Sequence, residues 1–206
     1  HIGRIAFPIF AFQGAEGFQR THDRKKYLLR MLVFALISEI PFNYLYYSSP
    51  VFPFHQNVMF TFFIALLLML GLEKVRSKGT EMYILAAVLS LPVGYFLGTL
   101  GMVDYYGSGV VTVLIFYLCR QIPHGWIGEV AGLAFLNCKL LGGMTIPLTL
   151  GSWTLEFPEQ GLALLALIPI WLYNGRQGAH NKAIQYACYA FYPAHMLILA
   201  LLRMYL

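Results

Sequence analysis

The chain is a succession of apolar runs divided by short polar punctuation. A helix needs about 20 apolar residues to cross the hydrocarbon layer, and somewhat fewer where flanking side chains snorkel. On that ruler the pattern predicts eight spans, at residues 2–18, 27–46, 57–72, 81–99, 104–120, 125–142, 160–174 and 184–203. The expected fold is an all-α polytopic transmembrane helix bundle, one domain over residues 1–206. Pro8, Pro41 and Pro193 fall inside spans, where each removes a backbone hydrogen bond and bends its helix.

The punctuation sets the orientation. Lys and Arg in short loops stay on the cytoplasmic side. Arg20, Arg24, Lys25 and Lys26 fill the first connection, Lys74, Arg76 and Lys78 the third, Arg120 the fifth, and Arg176 and Lys182 the seventh. The even connections, Tyr46 to Gln56, Thr99 to Val103 and Gly143 to Glu159, contain neither Lys nor Arg. Basic loops therefore belong inside and both termini outside. An outside start without a signal sequence fits one further helix upstream, so about nine are expected in the intact protein.

Composition agrees with this reading: 59% of the 206 residues are hydrophobic and only 11% charged, and the mean hydropathy is +0.65. A net charge of +5 raises nucleic acid as a partner, but the basic residues form no continuous stripe and no recognised binding motif. No nucleic-acid role is expected; the lipid bilayer is the partner that composition predicts. Cys119, Cys138 and Cys188 lack the close paired spacing of a zinc site and read as core thiols, so no metal is expected. Tyr and Trp near the predicted boundaries form an interfacial belt. Gly98, Gly101, Gly107 and Gly109 read as close-packing points.

Charge inside apolar runs is expensive and usually functional. Arg4, Glu16, Arg30 and Glu39 lie in or against such runs within the first forty-three residues. Glu39 is either an acid or base, or the structural partner of Arg4 across the helix hairpin; their overlapping depths predict the pair. Arg4 and Arg30 are fixed cations suited to a carboxylate, a phosphate or a developing oxyanion. His195 lies about eleven residues into the last span, roughly 16 Å from its start. That depth suits a proton-transfer group, or else a neutral imidazole bonded to a helix carbonyl. Asp104, Tyr105 and Tyr106 stand at an outer edge, where an acceptor would enter. No nucleophile elbow, phosphate loop, dinucleotide fingerprint or metalloprotease pair is present, so pattern alone selects no reaction.

The segments Gly3-Arg4-Ile5-Ala6-Phe7-Pro8, Glu16-Gly17-Phe18, Tyr27-Leu28-Leu29-Arg30, Ser38-Glu39-Ile40-Pro41-Phe42-Asn43, Asn57-Val58-Met59-Phe60-Thr61 and Phe191-Tyr192-Pro193-Ala194-His195 resemble the TraX family of membrane proteins. The family's namesake acetylates the N-terminus of conjugative pilin, and the group is similar to acyltransferases that draw on cytoplasmic acetyl-CoA. The resemblance implies an acetyl-CoA-dependent enzyme of the bacterial cytoplasmic membrane, with an amine or hydroxyl acceptor such as a pilin N-terminus. Family members carry an Asp-His pair in an earlier helix. His1-Ile2-Gly3 is similar to part of that pattern, but its place directly ahead of Arg4 fits the second family segment.

Acyl transfer from a thioester requires cations for the phosphates, a base for the acceptor and donors for the oxyanion. Arg24, Lys26 and Arg30 are the expected coenzyme-binding residues. His195 and Glu39 are the acid–base candidates, with Arg4 or Tyr192 orienting the acyl group. Two other classes compete: a transporter, since intramembrane charge beside proline also marks substrate pathways, and a noncatalytic component of a pilus or secretion apparatus.

Overall fold

The computed structural model describes residues 3–150, 153–176, 178 and 181–205. The helices are α1 (Gly3–Arg20), α2 (Arg24–Tyr47), α3 (Val58–Arg76), α4 (Thr80–Leu100), α5 (Tyr106–Cys119), α6 (Gly125–Phe135), α7 (Leu167–Leu172) and α8 (Lys182–Tyr205). A π-helical turn, Leu136–Leu140, extends α6, and a 3-10 segment, Glu159–Ala166, leads into α7.

The capping chemistry explains where the long helices begin. Asp23 accepts the Lys26 backbone N–H at 3.0 Å and starts α2. That bond and the Lys26 ammonium hold the Asp23 carboxyl below the usual carboxylate range. Asn57 starts α3 in the same way, accepting the Met59 N–H at 3.0 Å. Lys74 and Arg76 close α3 against its negative dipole end.

α5 is the axle of the bundle. Every residue from Gly107 to Tyr117 is buried, and α1, α3, α4 and α6 all pack on it. At 14 residues it is only about 21 Å long; a helix sheathed on all sides by protein does not need to match the bilayer. The crossing with α4 is backbone against backbone. A Cβ at Gly107 would lie 2.1 Å from the Tyr95 carbonyl oxygen, and one at Gly98 would lie 2.8 Å from that of Tyr106. Glycine is required at both positions, as the small-residue reading expected.

Among the described residues, four helices are long and apolar enough to cross a membrane: α2, α3, α4 and α8. Their outward faces, including Val88 and Phe96 of α4 and Leu197 and Leu201 of α8, leave large apolar side chains exposed, the surface expected against lipid. The other predicted spans are helical but shorter or interrupted. α1 carries Arg4, Glu16 and Arg20 within 18 residues. The sixth span ends in the π turn, where Asn137 Nδ2 donates to the Leu133 carbonyl at 2.8 Å. The seventh is a 3-10 segment plus one and a half turns of α-helix.

The connection expected to be a loop after Gly143 contains a hairpin instead, β1 (Thr145–Leu150) antiparallel to β2 (Trp153–Pro158). Two runs rich in Thr and large apolar residues, divided by Gly151-Ser152, are a hairpin signal that the membrane ruler overlooks.

The basic connections gather at one end of the bundle. Arg24 bridges to Glu73 at 2.8 Å, Arg120 Nε lies 2.9 Å from Glu16, and Arg20 donates to the Gly175 carbonyl at 2.7 Å. The first, third, fifth and seventh connections thus share an end. The opposite end holds His55, Asp104 and the hairpin.

Candidate functional site

Helix α1 stands apart from α8, and the space between them, floored by α2, is a crevice with two chambers. The inner chamber, about 680 Å³, is lined by Arg20, His22 and Arg30 together with Gln13, Glu16 and Tyr27. The outer chamber, about 570 Å³, is lined by Asp104, Tyr105, Tyr192 and His195, and again by Gln13 and Tyr27. The two chambers therefore meet at that pair.

Arg30 is the coenzyme candidate that the structure brings to the inner chamber. Its guanidinium lies 5.8 Å from the centroid of the Tyr27 ring and also meets the Tyr189 hydroxyl, while its buried Nε has no hydrogen-bond partner among the described residues. An unpaired buried guanidinium N–H is a donor available to an anion. Arg24 and Lys26 turn elsewhere. Arg24 is held by Glu73 and sits over the Phe18 ring at 5.0 Å, while Lys26 pairs with Asp23 at 3.2 Å on an exposed surface. Arg20 and His22 take their place in the lining. Arg20 is fixed by Glu16 at 2.5 Å, and that buried carboxylate also holds Arg120. Two guanidiniums around one carboxylate leave the inner chamber with excess positive charge.

In the outer chamber His195 Nδ1 lies 3.0 Å from the Phe191 carbonyl one turn back. A carbonyl can only accept, so Nδ1 is the donor in this contact, which in the neutral imidazole makes Nε2 the acceptor. His195 is thus bonded to a helix carbonyl, and it also lines the outer chamber. Tyr192 packs edge-on against it at 5.4 Å, with a buried hydroxyl that meets the Val58 backbone. At the mouth, His55 shares a 2.6 Å contact with the Tyr47 hydroxyl and lies 3.8 Å from Asp104. It is more than the solvated loop residue that its position implied.

The expected Arg4–Glu39 pair does not form. Arg4 donates to Gln160 at 2.5 Å and lies 3.7 Å from Glu159, and Gln160 in turn donates to Asn137 at 3.3 Å. That chain ties α1 to the 3-10 segment and the π turn, and Arg4 is not among the residues lining either chamber. Glu39 accepts from Asn57 Nδ2 at 2.5 Å and likewise does not line them. Similar depth along the two helices was not enough to make the pair: Glu39 met a nearer amide, and Arg4 met an amide and the carboxylate of Glu159. His1 lies outside the described residues.

Sequence reasoning passed over Gln13, Tyr27 and His22 as site residues, whereas Arg20 was already counted with the basic residues offered to the coenzyme. Tyr27 carried a usable signal: it stands one turn before Arg30 on the same helix, so a site built on one includes the other.

A helical membrane protein with a polar two-chambered crevice is the class that this architecture defines. Within it, the chain belongs to the TraX family: the model described as TraX protein matches residues 1–203. It is also similar to a protein of Dichelobacter nodosus named "Probable fimbrial assembly protein FimC, serogroup H1", with 28% identity over 217 residues, covering 100% of this chain and 82% of the relative. No solved structure matches.

Proposed function

We propose that this protein is an integral membrane acyltransferase that moves an acetyl group from acetyl-CoA to an amine or hydroxyl acceptor. The observation that carries the reading is that Gln13 and Tyr27 line both chambers, with guanidinium groups in the lining of one and an imidazole in the lining of the other. A thioester whose phosphates bind at Arg30 and Arg20 points its acyl end toward that junction. An acceptor entering past Asp104 meets it there.

His195 Nε2 takes the acceptor's proton as the new N–acyl or O–acyl bond forms. The carbon–sulfur bond then breaks and the departing thiolate recovers a proton from the imidazolium. The Tyr192 hydroxyl, in the lining of the same chamber, is the donor proposed for the oxyanion. No metal takes part in this scheme.

The same reading puts the chain in the bacterial cytoplasmic membrane as a multi-pass protein, its basic end inside, with eight membrane-crossing segments. Membership of the TraX family and the fimbrial relative make a pilin N-terminus the acceptor of choice. The relative's name favours a second reading, a noncatalytic assembly component.

Incubating the purified chain with radiolabelled acetyl-CoA and a pilin N-terminal peptide separates the two. The enzyme reading expects label on the peptide, with loss of at least a hundredfold in His195→Ala and retention of donor binding. Absence of both transfer and acetyl-CoA binding leaves the assembly role.

A further inference from the structure

The lining of the outer chamber has a composition that acyl transfer does not call for. Nearly half of the residues lining it are Phe or Tyr, against 16% aromatic residues in the whole chain. A lipid-facing belt does not account for them. Phe7 and Phe62 are buried and stacked at 6.0 Å, and Tyr105 stacks on Phe7 at 4.0 Å. Among the described residues of this lining Asp104 is the one carboxylate, and neither Lys nor Arg is present. The inner chamber is the reverse, with Arg20 and Arg30 in its lining.

Asp104 is fixed by its own backbone. Its N–H donates to the Gln56 carbonyl at 2.9 Å, and its carbonyl accepts from the Thr61 hydroxyl at 2.7 Å. The carboxylate accepts the Tyr105 N–H at 3.1 Å. His55 Nε2, at 3.8 Å, is beyond hydrogen-bond range, and Arg4 is turned to Gln160 and Glu159. Tyr46 of α2, Tyr105 and Tyr192 of α8 all lie within electrostatic reach of this one anion. A preset carboxylate among aromatic rings complements an ammonium group: the carboxylate answers the charge, and the rings attract the same cation while covering its apolar surroundings.

From this we infer that the outer chamber is a binding site for an organic cation, an ammonium group held by the Asp104 carboxylate among the rings of Tyr46, Tyr105 and Tyr192. Binding needs no thioester, so the inference stands apart from the acyltransferase reading. Joined to that reading, it selects an amine acceptor over a hydroxyl one, because only the amine arrives charged.

The test titrates two probes into the full chain in a maltoside detergent without acetyl-CoA, with affinities read by saturation-transfer NMR. The probes are choline and its neutral isostere, the dimethylbutanol in which carbon replaces the nitrogen. Wild type should bind choline at least tenfold more tightly. Asp104→Asn, which keeps an oxygen for the Tyr105 N–H, should abolish that preference, and Asp104→Glu should retain it. Tyr46 is 54% exposed, so the fold does not depend on its ring. Tyr46→Leu should weaken choline binding about two- to fivefold and leave the alcohol unchanged, whereas Tyr46→Phe should match wild type.

A wild type that binds the two probes alike, or a preference unchanged in Asp104→Asn, overturns the inference. Should Asp104→Asn fail to fold, Tyr46→Leu decides, and choline affinity equal to that of wild type overturns it. A protein that prefers choline yet transfers no acetyl group to a pilin peptide sinks the acyltransferase reading and leaves the cation site standing. Transfer by a protein that binds both probes alike does the opposite.

Discussion

Replacing Asn57 separates two roles that one side chain fills. Asn57 is fully buried, at 0% exposure. Its Oδ1 caps α3 through the Met59 N–H at 3.0 Å. Its Nδ2 donates to the Ala35 carbonyl at 2.9 Å and to Glu39 at 2.5 Å. Asn57→Ala removes the cap, worth about 1 kcal/mol, and strips a donor from a half-buried carboxylate, worth about 1–3 kcal/mol. The expected loss is about 2–4 kcal/mol.

Asn57→Asp keeps the cap but sets two carboxylates face to face. Even relaxed to ~4 Å at an effective dielectric of about 20, they repel by about 4 kcal/mol. Asp should therefore be worse than Ala, although Asp is the better cap. Exchanging the pair, Asn57→Asp with Glu39→Gln, keeps one amide against one acid and should recover most of the loss. Reversible unfolding in mixed micelles, followed by far-UV circular dichroism, gives the ranking. An Asn57→Asp variant as stable as Asn57→Ala would refute the reasoning, since capping would then outweigh the contact with Glu39.

Three further outcomes follow from the same geometry. Gly107→Ala, whose methyl would meet the Tyr95 carbonyl at 2.1 Å, should destabilise by about 1–3 kcal/mol or more in the same unfolding assay, whereas Gly71→Ala, with nothing within 4 Å, should not. Cysteines at positions 49 and 76 should react with impermeant reagents from opposite membrane sides, because Ser49 follows α2 at the outer end and Arg76 closes α3 at the basic end. Arg30→Gln should weaken acetyl-CoA binding by about tenfold at low and high salt alike, as expected for a charge-assisted bond. Arg24→Gln should change binding less than about threefold and appear instead as lost stability, because Glu73 already holds that guanidinium.

Much of the architecture was legible because a bilayer imposes one period and one length. Runs of apolar residues marked every long helix, and the placement of Lys and Arg assigned the ends of the bundle. What the ruler misjudged is what it cannot measure. α5 is shorter than a span because protein, not lipid, surrounds it. The Thr145–Pro158 hairpin lies where the pattern offered only an absence of charge.

In the site, Arg30, Tyr192 and His195 were visible as polar residues out of place in apolar runs. Gln13 and Tyr27 were not, because neither residue is unusual in such a helix; Tyr27 matters through the glycines of α1 that it packs on, and Gln13 through its place in the lining of both chambers. Arg4 and Glu39 were visible for the same reason as Arg30, yet their partners, Gln160 and Asn57, lie far along the chain. Sequence shows that a charge needs a partner, but not which residue the fold delivers.

The central claim is that donor and acceptor reach one junction from opposite ends of the crevice. Vesicles of defined orientation, carrying the protein with labelled acetyl-CoA on one side and a pilin N-terminal peptide on the other, test it directly. The account predicts labelled peptide only when acetyl-CoA is on the side of Arg24 and Arg76 and the peptide on the side of Ser49. Transfer with both substrates confined to the same side, at a rate equal to or above that of the opposed arrangement, would contradict it.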